Sequence, residues 1–464
     1  VSLDARAYRG RYPGDLLVAF ARDLLGAVGA LDAVGGDVVV ASLGRLPPVA
    51  LVRHPDLVRD VFVGLNDRLT KARGLRLAKT LLGEGLLTSE PPHHTRQRRL
   101  LLPAFHHTRL RLYARAMVDA ATAEADTWRD GATVDAAAAM NRLALVIAGR
   151  TLFSADVLVH ADRVGGAVAE AMAAFDRSQF PMADRLMWLP TPARHRADRA
   201  RATLDALVYN LIARRRTDGV GAHDDLLDML LAARDEETGA AMSDTEVRDE
   251  AMTLLLAGHE TTAVALAWAW AALAEQPDAE AALHAEVDAL GRPPTFDDVP
   301  RLPVTRAVVA ETMRLWPPAW VVGREAAAEV TLGAARLPRG TTILFAPYFI
   351  HRDARFWPDP SRFDLARFMP DADSREPARH KFAYVPFSAG RRGCIGERFA
   401  WTEAVLVLAT LAQRWRLVPA GPRPAAQGSV TLRPAGPMPM RAEARHRGVT
   451  PPPDLGAIPS AAAR

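Results

Sequence analysis

The chain has 464 residues, 49% of them hydrophobic, with 58 Lys+Arg against 54 Asp+Glu and a formal net charge of +4. That near balance, with no recognisable nucleic-acid-binding module, argues against nucleic acid as a partner. The single cysteine, Cys394, excludes an intramolecular disulfide and suits a reducing cytoplasm. In chain order, the apolar stretch at residues 16–20 is broken at once by Arg22 and Asp23, which argues against a secretory signal. Two β-rich runs follow, at 37–41 and 48–52, and His54-Pro55-Asp56 then opens a short helix.

From about residue 95 to residue 274 the pattern is overwhelmingly helical. Amphipathic periods cover 109–128, 136–152 and 193–216. Ser243 and Glu246, three apart, predict a capping box, and the helix it opens is expected to run past Ala274. Residues 253–274 are the nearest approach to a membrane span, but Gly258, His259, Glu260 and two threonines lie near the centre, where polar groups are costly in lipid. A buried helix with a polar break explains them better, and no transmembrane anchor is expected. Short strands are predicted at 330–332 and 342–345, and a last helix after Gly396. The fold class is mainly α with a small β region. It forms one large helical domain over 1–445, followed by a Pro-rich tail at 446–464.

The polar break reads Ala257-Gly258-His259-Glu260-Thr261-Thr262. Thr261 is four residues after Ala257, so its hydroxyl can bond back to that carbonyl. A solvated face would make the run meaningless, but leucines occupy 254–256 and residues 263–270 are apolar apart from the indole N–H groups. The His-Glu pair is similar to a zinc-peptidase motif, whose second histidine would fall on Ala263, so that reading fails. Farther on, Glu311 and Arg314 share a helix face, and Arg367 supplies a second arginine.

The loop Phe387-Ser388-Ala389-Gly390-Arg391-Arg392-Gly393-Cys394-Ile395-Gly396 carries a phenylalanine, glycines, an arginine and the cysteine at fixed spacing. Gly390 and Gly396 permit tight turns that aim main-chain N–H groups at the sulfur. The helix beginning behind Cys394 would favour a thiolate through its dipole. A lone cysteine usually packs as a small hydrophobe, but five matched positions in ten residues argue otherwise.

These motifs, in this order over roughly residues 37–433, resemble the cytochrome P450 family. The resemblance implies haem b with Cys394 as its axial thiolate, Phe387 shielding the sulfur, and Gly396 and Arg392 in the cofactor site. Arg392, His94, Arg98 and Arg324 are implied to bind the haem propionates. Glu260 and Thr261 are implied to deliver protons to O2, the co-substrate. Glu311, Arg314 and Arg367 match a structural triad, although Ala366 stands where an acid often precedes the arginine. The pocket walls are expected at Leu86, Leu254, Ala257, Trp320, Val321, Val322 and Leu432.

The implied reaction is insertion of one oxygen atom into a C–H bond of a hydrophobic small molecule, a terpenoid or fatty-acyl compound, with polyketides as a further class. Electrons are expected from a separate ferredoxin and ferredoxin reductase, since no flavin or nucleotide segment follows Arg433. Arg96, Arg99, Arg391 and Arg398 are candidates for the donor-facing surface. The alternatives are a peroxide-driven peroxygenase, a non-catalytic haem or gas-binding protein, and a haem-free thiol hydrolase.

Overall fold

The computed structural model describes residues 3–10, 14–44, 46–154, 161–178, 189–221, 223–370 and 380–445. The predicted tail at 446–464 lies outside the described residues.

The β region is built from short runs of β-branched and aliphatic residues. Its strands are β1 (Ala5–Ala7), β2 (Val38–Leu43), β3 (Leu46–Val52), β4 (Leu69–Lys71), β5 (Val322–Ala326) and β6 (Thr342–Phe345). They form one sheet in the order β1-β2-β3-β6-β5-β4. The hairpin pairs Val38 with Val52, while β3 runs parallel to β6 and so joins distant parts of the chain. Lys71 is placed opposite Arg324 by the pairing of β4 with β5. His54 caps the short helix Pro55–Arg59 by accepting from the Asp56 N–H.

The helices that frame the site are α1 (His93–Leu101), α2 (His107–Thr127), α3 (Ala136–Phe153), α4 (Ala161–Ser178), α5 (Pro192–Asp218), α6 (Asp244–Leu273), α7 (Pro303–Leu315) and α8 (Glu397–Ala412). Helix α6 opens with the expected capping box: Ser243 accepts from the Glu246 N–H, and Glu246 reaches back to the Ser243 N–H. It ends at Leu273 rather than running beyond Ala274: the next bonds, from the Glu275 N–H to the Ala272 carbonyl and from the Gln276 N–H to the Leu273 carbonyl, tighten to three-residue spacing ahead of Pro277. Trp268 and Trp270 of α6 are fully buried in the main core with residues of α2, α3 and α8. Trp268 stacks on Trp316 at 5.5 Å between ring centroids.

Among the described residues, the one helix long and apolar enough to cross a membrane is α3, not the stretch at 253–274. It is 67% buried and packs on α6, as a core helix does. Helix α4 lies within the stretch expected to be helical, although its own bounds were not singled out. Its apolar positions Val164, Val168, Ala171, Met172 and Phe175 are buried at helical spacing, a signal present in the sequence.

Candidate active site

A cavity of about 590 Å³ lies between α6, the Cys394 loop, α4 and the sheet. Cys394, Glu260 and Thr261 all face it. The loop that carries Cys394 is shaped by its glycines unequally. Gly390 has φ +70°, and a Cβ there would stand 2.2 Å from the Phe62 carbonyl oxygen, so only glycine fits. Gly396 has φ −85°, which any L-residue adopts. A Cβ at Gly396 would meet only ordinary contacts, with Phe105 at 3.7 Å and Cys394 Sγ at 3.9 Å. The expected turn role therefore holds for Gly390 and not for Gly396, whose backbone N–H instead acts electrostatically to favour the charged sulfur.

The Cys394 N–H bonds the Phe387 carbonyl at 2.9 Å, and the Phe387 ring packs on Trp401. Cys394 counts as exposed because its sulfur faces the open cavity, while protein encloses its other sides. Burial pushes its thiol up to about 11, against the lowering effect of the Gly396 N–H and Arg98. A metal ion coordinated to the sulfur would favour the thiolate.

Five basic side chains, Lys71, His94, Arg98, Arg324 and Arg392, line the cavity and form one electrostatic cluster. Burial brings Lys71 down to about 7, with Glu90 opposing and Arg392 and Arg324 adding. Burial, then the charges of Lys71 and Arg392, brings His94 down to about 4. Arg392 Nη2 meets Glu90 at 2.6 Å, but its Nε and Nη1 are buried with no hydrogen-bond partner among the described residues. Arg324 bonds only the Gly323 carbonyl, at 3.0 Å, and pairs with no carboxylate among the described residues. Buried cations with unfilled donors fit a group that brings carboxylates of its own. With the sulfur open to the same cavity, the residues present fit haem: Cys394 would ligate the iron, and His94, Arg98, Arg324 and Arg392 would meet the propionates. Lys71 was missed by the sequence reading, because only its pairing opposite Arg324 brings it there.

On α6, the Thr261 hydroxyl donates to the Ala257 carbonyl at 2.7 Å, as its spacing predicts, and the helix stays continuous. Gly258 leaves open space where a Cβ would stand. His259 points away into the protein and meets Asn141 at 3.0 Å. Glu260 is buried, and its Oε1 accepts a hydrogen bond from the Thr431 hydroxyl at 2.7 Å. Burial raises the Glu260 carboxyl above its ordinary range.

Of the expected wall residues, Leu86, Leu254, Ala257, Val321 and Val322 line the cavity, joined by Met172 and Phe175 of α4. Trp320 and Leu432 do not. Trp320 is fully buried in the N-terminal core, where its indole donates to the Ser429 carbonyl. Leu432 also packs into that core, and its neighbour Thr431 faces the cavity instead. Arg96 and Arg99 are half-buried and ion-paired, Arg96 with Glu246 and Arg99 with Asp235 and Glu237. Arg391 and Arg398 are exposed.

The structural triad is assembled. Arg314 holds both oxygens of Glu311 at 2.7 Å, and Arg367 Nε lies 3.6 Å from Glu311. Arg367 also donates to the Pro358 carbonyl, so Ala366 in the preceding position does not prevent its placement.

The Cytochrome P450 family model matches residues 28–438 of this chain. Cyclooctatin synthase of Streptomyces melanosporofaciens is 42% identical over 416 residues, covering 88% of this chain and 89% of its own. Cyclooctat-9-en-7-ol 5-monooxygenase of the same organism is 40% identical, with 88% and 89% covered. Pentalenene oxygenase of Streptomyces avermitilis is 39% identical, with 82% and 84% covered. Among solved structures, the haem domain of cytochrome P450DA superposes with a TM-score of 0.85 at 27% identity, over 96% of this chain and 98% of its own.

Proposed function

The chain belongs to the cytochrome P450 family and is an oxidoreductase of the monooxygenase type, and from that premise we propose that it hydroxylates a terpenoid hydrocarbon or alcohol with electrons from a separate ferredoxin system. One observation carries the reading: a single apolar cavity holds the sulfur of Cys394 and the acid–alcohol pair Glu260–Thr261. Haem bound there supplies dioxygen activation, and a cysteine ligand favours O–O cleavage.

The chain's own residues do the rest. Leu86, Leu254, Val321, Val322, Met172 and Phe175 exclude water and offer no charge to a substrate, which suits a hydrocarbon skeleton. Glu260, whose carboxyl burial raises above its ordinary range, is placed to hold a proton beside the cavity. Thr261 offers a hydroxyl one residue farther along the helix, already in a rotamer set by the Ala257 carbonyl. The names of the relatives denote an alkenol and an alkene as substrates, in keeping with a terpenoid. The Glu260–Thr261 pair favours O2 over peroxide as oxidant, since a peroxide-driven enzyme or a gas-binding protein has less need of a proton donor. Arg391 and Arg398 offer an exposed basic surface at the Cys394 loop to an acidic donor. The functional unit proposed is residues 1–445.

Spin-state titration of the haem-loaded protein tests the substrate class. A cyclic sesquiterpene or diterpene alcohol is expected to shift the Soret band at micromolar concentration, and a free fatty acid of equal carbon number is expected not to. The reverse order would replace the terpenoid reading with a fatty-acyl one.

A further inference from the structure

We propose that Thr431 is a positioning residue for proton delivery: its hydrogen bond to Glu260 Oε1 confines the carboxyl proton to Oε2 and holds the acid in one rotamer. This rests on the reading of Glu260 as the proton-delivering acid.

The two oxygens of Glu260 are not equivalent. Oε1 takes the Thr431 hydroxyl at 2.7 Å, while Oε2 is buried with no hydrogen-bond partner among the described residues. A hydroxyl donates best to the carbonyl oxygen of a neutral carboxylic acid, which leaves the proton on the other oxygen. Burial raises the Glu260 carboxyl and so favours its protonated form, with Arg433 opposing and Asp176 adding to that effect. A proton on Oε2 is unfavourable where it stands, because no described residue accepts it. That cost favours a swing toward any acceptor that enters the cavity.

Thr431 itself is fixed. It lies in the turn between the strands Ala426–Gly428 and Leu432–Pro434. The turn is pinned from three directions. Trp268 of α6 donates to the Leu432 carbonyl at 2.7 Å, and Trp320 donates to the Ser429 carbonyl at 2.8 Å. From α4, Asp176 accepts the Val430 N–H at 2.7 Å and pairs with Arg433 at 3.4 Å. Within the turn, the Ser429 N–H and hydroxyl both reach the Thr431 carbonyl at 3.0 Å. The hydroxyl of Thr431 therefore stays in place when Glu260 moves, and it captures the same oxygen again on return.

The test uses the haem-loaded enzyme with Thr431→Val, Thr431→Ser and Glu260→Gln. The infrared carbonyl band of the Glu260 acid is identified as the one that Glu260→Gln removes. In Thr431→Val this band is expected to move to higher wavenumber and broaden. Product formed per reductant consumed is expected to fall roughly three- to tenfold, the size of one neutral hydrogen bond. Thr431→Ser restores both signals. An unmoved band and ratio in Thr431→Val would overturn the proposal, as would a serine variant that behaves like valine, since packing rather than the hydroxyl would then matter. An unchanged ratio in Glu260→Gln would remove the premise about Glu260, while the band in Thr431→Val would still report whether the hydrogen bond exists.

Discussion

Replacing Glu311 by alanine is expected to destabilise the protein by roughly 3–5 kcal/mol, the cost of stranding a buried charge. Glu311 and Arg314 are both fully buried. Arg314 satisfies its guanidinium with both Glu311 oxygens and with the carbonyls of His351 at 2.9 Å, Pro360 at 2.7 Å and Arg362 at 2.8 Å. Glu311 also accepts the Asp364 N–H at 2.9 Å, which ties helix α7 to the segment that carries Arg367. Alanine removes the only carboxylate in contact with Arg314 among the described residues and leaves a buried cation without its counter-charge. Denaturant unfolding followed by tryptophan fluorescence measures the effect: the midpoint should fall sharply, and the soluble fraction should carry less haem. Glu311→Gln keeps the shape and one acceptor, so it should fall between alanine and the parent. A midpoint within error of the parent for both variants would show that the network does not hold the fold.

Glu260→Gln is expected to slow product formation on the order of a hundredfold without loss of stability, the lower part of the range for a positioned acid. Glutamine has the same shape, keeps a carbonyl oxygen for the Thr431 hydroxyl, and places no charge in a site where burial already favours a neutral group. What it cannot do is give up a proton. Steady-state turnover with a ferredoxin system and a terpenoid substrate measures it. Reductant consumption should continue, with its electrons leaving as peroxide or water. Parent-like product formation would remove Glu260 from the reaction.

What the sequence revealed and what it hid follow from distance along the chain. The Ser243–Glu246 capping box, the bond from Thr261 to Ala257 and the pairing of Glu311 with Arg314 each span three or four residues. Helical spacing alone places such partners side by side. The glycine at 390 was legible because its backbone conformation is closed to other residues.

Contacts between distant segments were harder. The Thr431–Glu260 bond spans 171 residues and the arrangement of Lys71 beside Arg324 depends on strand pairing. Errors at the cavity wall have a common form. Val321 lines the cavity and Trp320 does not; Thr431 lines it and Leu432 does not. Arg96 and Arg99 looked like surface charge because their partners, Asp235, Glu237 and Glu246, are more than a hundred residues away. Helix α4 bears Met172, Phe175 and Asp176 beside the site, and only its spacing of apolar residues could have revealed it.

The most direct measurement is the absorption spectrum of the haem-loaded protein after reduction and exposure to carbon monoxide, taken for the parent and for Cys394→Ala. Sulfur ligation predicts a main band displaced far to the red in the parent and lost in the alanine variant. A parent spectrum with its band in the unshifted position, or an alanine variant that keeps the displaced band, would contradict ligation by Cys394 and the monooxygenase chemistry derived from it.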